Sequence, residues 1–482
     1  MKEKNPLYQN AGVGPRGWEE KNFLFLTLIA AITSVGISLV YFLGIVSLPV
    51  LFGLISLPFL AWLFYSRPEM AFLALVVAYF GSVYFISDVV TQGLVRALFL
   101  SIIGLVLLLK LGSRKGVRRT RTSLDPAVTI LFFIVLTSFV YGFFFQHNST
   151  KYLLGDLYKF VEIILVFWLT TFLVKDRRQI RLFIWGFFLV VILFGLVDSM
   201  AFLTRAYYVG GALRARIRAG AQFSSVFALL LAISFIVHER RVLTKFILAI
   251  LSLGFLIGFL ISFLRTGYIA IPLTLAFMVV LYFLKTKRYA WSGIVRFAFL
   301  AALLLISAAL LSIAIARINP RIDMIQATMD RFNTLIARTS VSPWGVRGLE
   351  MKSIISRVLA RNPLLGNGLG GEYYGWIHNV TTGEITWGIK HYVHNNYFDF
   401  LVRTGILGLV IFSVLIVKYL KDAVGFYLRC EDAFDRQVIF GCIGIFISSC
   451  IMAVSTGILY SPFLFITMGL TYSLGHLMEK SR

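Results

Sequence analysis

The chain has 482 residues, of which 59% are hydrophobic and 14% charged, with a mean hydropathy of +0.85 and a formal net charge of +24. A soluble domain runs at about 45–50% apolar and about 25% charged, so these proportions exclude a soluble enzyme, a disordered tail and a secreted disulfide scaffold. What recurs instead is an apolar stretch of roughly 20 residues, long enough to cross a hydrocarbon core of about 30 Å as a helix.

A polar leader of about 20 residues carries Lys2, Lys4, Arg16, Glu19, Glu20 and Lys21. No short apolar run with a small-residue cleavage site comes after it, so the first span is expected to be retained. Apolar windows in chain order fall near 22–44, 46–65, 70–88, 92–110, 127–146, 159–174, 182–204, 221–237, 246–264, 267–284, 297–316, 402–420, 438–457 and 459–475. They are continuously apolar rather than alternating, which predicts helices and not a barrel. The expected fold is an all-α polytopic membrane protein of about 12–14 transmembrane helices.

Basic residues gather in alternate loops, among them the run SRKGVRRTR, KDRRQIR, HERRVLTK and KTKR. By the positive-inside rule those loops and both termini are cytoplasmic, and the charge needs no nucleic acid to explain it. Cys430, Cys442 and Cys450 have no CxxC spacing and read as packing residues. The expected organisation is a bundle over 1–316, an external loop subdomain over 317–401, and C-terminal transmembrane helices over 402–482.

Some basic residues run against this pattern. Arg205, Arg214, Arg216 and Arg218 crowd a short external loop near 205–220, and Arg265 sits between two spans in ISFLRTGYIA. Snorkelling to the interface accounts for such arginines singly. A cluster of them also suits an anion, because the guanidinium fork matches phosphate oxygens bidentately.

The external loop 317–401 is the one stretch long enough for a small subdomain. Ile322, Ile325, Met329, Phe332 and Ile336 predict an amphipathic helix, and a second is predicted over about 349–359 with Ile354, Ile355 and Leu359 on its apolar side. Asn362-Pro363 stops it, and Gly366, Gly368, Gly370 and Gly371 form a turn-rich loop. Backbone amides in such a loop could approach a phosphate, but plain turn geometry is the better reading. The loop ends in His394-Asn395-Asn396, and after it comes an apolar helix that Asn395 or Asn396 can cap. His394 there is either an interfacial polar residue or a general base, for which neutral imidazole is needed.

His391 and His394 stand three apart with Glu372 and Glu384 nearby, yet no HExxH or CxxC spacing occurs, and no metal or other cofactor is expected. His147, His238, His378 and His476 belong to no constellation. No GxSxG or Walker A motif is present, and no carboxylate pair of the glycosidase kind. Asp323, Asp330, Glu350, Glu372, Glu384 and Asp399 are the acidic residues able to touch a sugar, Asp399 being nearest the histidine in sequence.

His394-Asn395, nine residues, Gly405, two residues and Gly408 resemble the H[NSQ]-x9-G-x2-G signature of O-antigen ligases and the wider Wzy-type polymerase superfamily. RNPLLGNGLG (361–370) is similar to that family's Asn-Pro-Leu-x-Gly-x-Gly segment. RIRAGAQFSSVFA (216–228) resembles its Arg-x-Gly-x-Phe stretch at Arg218 and Gly220, and SFLRTG (262–267) resembles its Ser-Arg segment at Arg265. Two stretches depart from the pattern. Ser224, Ser225 and Val226 stand where many members have Asn-Pro-Asn-like residues, and Phe263-Leu264 separate Ser262 from Arg265.

The resemblance implies a GT-C-like membrane glycosyltransferase in the bacterial cytoplasmic (inner) membrane, with its active site on the periplasmic side. The implied donor is an undecaprenyl diphosphate-linked glycan. The acceptor is lipid A–core in a ligase, or a second lipid-linked glycan in a polymerase, and a ligase is the favoured expectation. His394 would be the base, Arg218, Arg265, Arg216 and Arg214 the diphosphate-binding residues, and Asn395, Asp399, Gly405 and Gly408 their support. The alternative from another class is a lipid-linked oligosaccharide transporter, which would show inverted repeats with interrupted helices; no convincing pair is found.

Overall fold

The structure is a computed structural model that describes residues 66, 70, 74, 100–104, 120–205, 207–209, 212–214, 219–262, 264–286, 306, 309, 310, 313, 317, 326, 343–378 and 385–480. Two compact units divide the chain, residues 1–75 with 98–117 and residues 76–97 with 118–482. In the first, residues 66, 70, 74 and 100–104 are helical. The apolar windows 22–44 and 46–65, most of 70–88, 92–110 and 297–316, and the amphipathic helix expected over 322–336 lie outside the described residues.

The second unit contains, in order, α1 (Asp125–Phe144), α2 (Thr150–Leu173), α3 (Arg177–Arg205), a hairpin of β1 (Tyr207–Val209) and β2 (Ala212–Arg214), α4 (Ala219–His238), α5 (Val242–Ile261), α6 (Arg265–Thr286), α7 (Pro343–Ile354), β3 (Tyr373–His378), β4 (Ile385–Lys390), α8 (Asn396–Arg429), α9 (Ala433–Met452) and α10 (Pro462–Lys480). Six of these helices, among the described residues, are long and apolar enough to cross a membrane: Asp125–Phe144, Arg177–Ser199, Val242–Ile261, Thr266–Thr286, Asn396–Arg429 and Ala433–Met452. The protein is an all-α polytopic membrane protein whose sheet content, among the described residues, is two short hairpins.

Local chemistry explains where these helices start. Asp125 opens α1 with Pro126 beside it, and its carboxylate accepts from the Thr122 backbone N–H and hydroxyl, both at 2.9 Å. Asp432 caps α9 by accepting from Asp435 N–H at 2.9 Å, and the Asp435 carboxylate receives Arg177 at 2.7 Å, tying α9 to the start of α3. The α10 helix is buried along nearly its whole length against α2 and α9, so this last apolar window is a core helix.

Residues 343–395 are more than helices. A π-helical turn over Ile355–Leu359 extends α7, and β3 pairs antiparallel with β4 in the register Tyr373↔Lys390 to His378↔Ile385. The expected apolar face of the second helix is corrected: Ile354 and Val358 are buried, whereas Ile355 is 52% exposed. Residues four apart stack on one side of a helix, while the neighbour at i+1 turns away. Ile354, Val358, Tyr373, Val393 and Val402, with Phe398 packed against them, form the small core that joins this segment to α8.

The α8 helix is longer than its apolar window, running 34 residues with a break at Gly405, where φ is 65° and ψ −163°. Only glycine takes that conformation without strain. The broken turn is satisfied by the loop before it. Asn367 N–H donates to Val402 O at 2.8 Å, and Ile406 N–H donates to Pro363 O at 2.9 Å.

Candidate active site

Two buried polar clusters stand beneath the start of α8. The first centres on Glu350 of α7, which is 1% exposed. Its Oε1 accepts from Tyr373 Oη at 2.8 Å and from Lys390 Nζ, and its Oε2 lies 3.3 Å from His394 Nδ1 and 3.4 Å from the His394 backbone nitrogen. Register makes this cluster: Tyr373 and Lys390 are cross-strand partners, so both side chains leave the same face of the hairpin toward α7. Burial alone would raise the Glu350 carboxyl, but the hydrogen bonds from His394 and Lys390 and the lysine charge outweigh it and hold it down to about 2. Burial and the adjacent Glu350 push the Tyr373 phenol upward, so it stays a donor.

An ionised Glu350 can only accept hydrogen bonds. The proton of a neutral His394 ring therefore sits on Nδ1, and Nε2 is left with its lone pair. The His394 side chain is 42% exposed, so a ring held through Nδ1 is still partly open to solvent. Tyr392 packs against it with ring centroids 5.1 Å apart. Asn395 starts the adjoining helix: its side chain accepts from Tyr397 N–H at 2.9 Å and Phe398 N–H at 3.3 Å, capping α8. Asn396 is turned elsewhere, accepting from Leu459 N–H at 3.0 Å.

The second cluster centres on Arg403, which is 1% exposed. Its guanidinium reaches Asp156 Oδ2 of α2 at 3.0 Å and Asp399 Oδ1 at 3.5 Å, donates to Gly371 O at 2.6 Å, and donates to His391 O. Asp399 Oδ2 accepts from Tyr460 Oη at 2.7 Å. His391 stacks on Tyr152 with centroids 3.9 Å apart and sets Nε2 3.6 Å from Asp156 Oδ1. Lys159, at 3.3 Å from Asp156, supplies a second positive charge for the two carboxylates.

The glycine loop between the clusters docks by close backbone contact. A Cβ on Gly366 would stand 2.4 Å from Leu401 O, one on Gly370 would stand 2.6 Å from Leu153 N, and one on Gly405 would stand 2.1 Å from Leu364 O. Asn148 clamps the loop by donating to Asn367 O at 2.9 Å and Leu369 O at 2.8 Å, and Gly370 N–H donates to Asp156 Oδ2 at 3.0 Å. These amides and carbonyls are engaged with α1, α2 and α8, as turn geometry requires.

His394, Asn395, Asp399, Gly405 and Gly408 therefore come together at the start of α8, Asp399 with its carboxylate held inside the bundle. The arginines fall differently. His238 Nε2 at the end of α4 lies 3.2 Å from Tyr427 Oη, and Lys285 at the end of α6 donates to Leu428 O. The C-terminal ends of α4, α6 and α8 thus meet, and these helices run parallel. Arg265, first residue of α6, and Arg214, last residue of β2 just before α4, belong to the same end of the bundle as His394. Arg216 and Arg218 lie outside the described residues.

Sequence reasoning missed Arg403, Asp156, Tyr460, Tyr373 and Lys390, weighed His391 only as a metal ligand, and did not rank Glu350 above the other acidic residues. Arg403 had a signal of its own, a charge inside an apolar window four residues after Asp399. Glu350 had none, since 44 residues separate it from His394. Among the described residues no group of three or more His, Cys, Asp or Glu is placed to hold a metal ion.

A comparison with curated proteins found no match. A comparison with protein families did find one, and it spans α5, α6, the β3–β4 hairpin, His394 and the broken turn at Gly405. Residues 247–413 match the family model described as O-antigen ligase, and this match supports membership of the O-antigen ligase/Wzy superfamily.

Proposed function

We propose that the protein is an O-antigen ligase of the bacterial inner membrane. It moves a glycan from undecaprenyl diphosphate to a hydroxyl of lipid A–core at the periplasmic face, with both termini cytoplasmic. Ligase/polymerase-type function is supported by the family match. The observation that carries the finer reading is the His394–Glu350 pair, a partly exposed imidazole held through Nδ1 by a buried carboxylate.

In this reading the acceptor oxygen attacks the anomeric carbon of the donor sugar while His394 Nε2 takes its proton. The bond from that carbon to the diphosphate oxygen breaks, and undecaprenyl diphosphate leaves with the electron pair. Arg218 and Arg265 neutralise the charge that gathers on the leaving group, and Arg214 and Arg216 draw the headgroup in. The position of Arg265 and of the hairpin ending in Arg214 at the His394 end of the bundle supports this assignment. The functional division is a bundle over 1–316, the loop subdomain over 317–401 bearing the base, and the helices over 402–482 that frame it.

The test is an in vitro transfer with an undecaprenyl diphosphate glycan as donor and either lipid A–core or a second donor molecule as acceptor. Product on lipid A–core is expected, falling by about 10²–10⁴-fold in His394→Ala with folding retained. A ladder of lipid-linked chains would make the protein a polymerase, and a fully active His394→Ala would remove the base.

A further inference from the structure

At the end of the bundle opposite His394, the termini of α3, α4, α5, α6, α8 and α9 border two half-open cavities of about 380 and 480 Å³ that share His238, Glu239 and Arg240. Arg240, Lys245, Lys285 and Arg436 line the first, and Arg181 and Arg241 with Arg240 line the second. A surplus of basic residues at this end agrees with membrane topology, but topology alone would let long side chains fan into water. Here several of them converge on half-open pockets of ligand size.

Glu239 is the acidic residue that lines both cavities, and Glu431 acts on Lys285 from nearby. Glu239 Oε1 accepts the backbone N–H groups of Arg240 at 2.8 Å and Arg241 at 2.9 Å. Asp435 is bound by Arg177. Arg436 gives Nη2 to the carbonyls of Cys430 and Glu431, while its buried Nε has no partner among the described residues. Neither Arg240 nor Lys245 forms an ion pair among the described residues. Like charges crowded around one cavity repel, and an anion between them removes that cost.

The rim shows what kind of anion. Val242, Leu243 and Phe246 of α5 are 81%, 71% and 64% exposed, and Leu284 of α6 is 57% exposed. These residues stand beside the cations Lys245 and Lys285 on helices apolar enough to face lipid. An apolar flank next to a cationic cavity fits an amphipath with a charged head and acyl tails. We propose that this cavity binds the phosphodiester headgroup of an anionic phospholipid, whose acyl chains lie along α5 and α6. The reading stands apart from the transfer reaction, because none of these residues belongs to the His394 site.

Purified, delipidated protein in non-ionic detergent would be offered phosphatidylglycerol, phosphatidylethanolamine or inorganic phosphate, with retention read by native mass spectrometry and stability by thermal melting. Phosphatidylglycerol is expected to stay bound and raise the melting midpoint, and the Arg240→Gln/Lys245→Gln variant to bind it about 30-fold more weakly. Should the double variant fail to fold, Lys245→Glu gives the same readout. Equal retention of phosphatidylethanolamine, equal protection by millimolar phosphate, or a folded variant that binds as well as wild type would each overturn the proposal.

Discussion

At the residue scale, Glu350 bears on stability and, in the proposed reading, on chemistry. Its folded carboxyl sits well below its ordinary value of 4.5, at about 2. The stability it contributes is therefore complete above pH 4.5 and is lost as pH falls from about 4.5 toward about 2. Tryptophan fluorescence, to which Trp376 and Trp387 of the hairpin contribute among the eight tryptophans of the chain, should show an acid transition in that window, and Glu350→Gln should flatten it. The same substitution keeps the side-chain shape but removes the charge that fixes the His394 tautomer. Transfer should drop by about 10–100-fold, the scale for losing the partner that orients a functional imidazole, with the pH–rate profile displaced. A merely structural Glu350 would lower the amount of folded enzyme and leave the profile where it was.

At the element scale, the break in α8 and the glycine loop are one device. A continuous helix through residue 405 would leave Pro363 O and Leu364 O without the Ile406 and Leu407 N–H groups they now accept. The loop carrying Asn148's partners would also lose its dock. Gly405→Ala meets both a backbone conformation that costs about 1–3 kcal/mol for a side-chain-bearing residue and Leu364 O at 2.1 Å. It should reduce activity along with thermal stability, and hydrogen exchange should rise over 361–371 and 401–407. Gly408 is a different case, since an added Cβ there would meet the Thr404 side chain within its own helix. The signature spacing from His394 to the two glycines thus describes one helix start, its break and the turn after it.

At the scale of the whole molecule, Arg403 fastens three parts that lie far apart in sequence: α2 through Asp156, α8 through Asp399, and the loop subdomain through Gly371 O and His391 O. Arg403→Met would leave two buried carboxylates facing each other with Lys159 as their remaining cation. Breaking a buried pair from one side costs about 3–5 kcal/mol, so the variant should melt far lower in a detergent unfolding assay. Asp399→Asn/Arg403→Met, which removes one charge of each sign, should recover part of the loss.

Composition and hydropathy by themselves determined the membrane class, because roughly 20 apolar residues in a row have no other stable solvent. The helix start at Asn395 was legible for a similar reason, since capping acts over two or three residues. The spacing from His394 to Gly405 and Gly408 was legible as a pattern in the same way. What only the tertiary structure decided is which partners those residues meet. Glu350 reaches His394 across 44 residues and Asp156 reaches Arg403 across 247, through a hairpin register and a loop dock that no local pattern encodes. Burial then turned these polar side chains into a positioned site, since a charge removed from water is stable only where the fold has placed its counterpart.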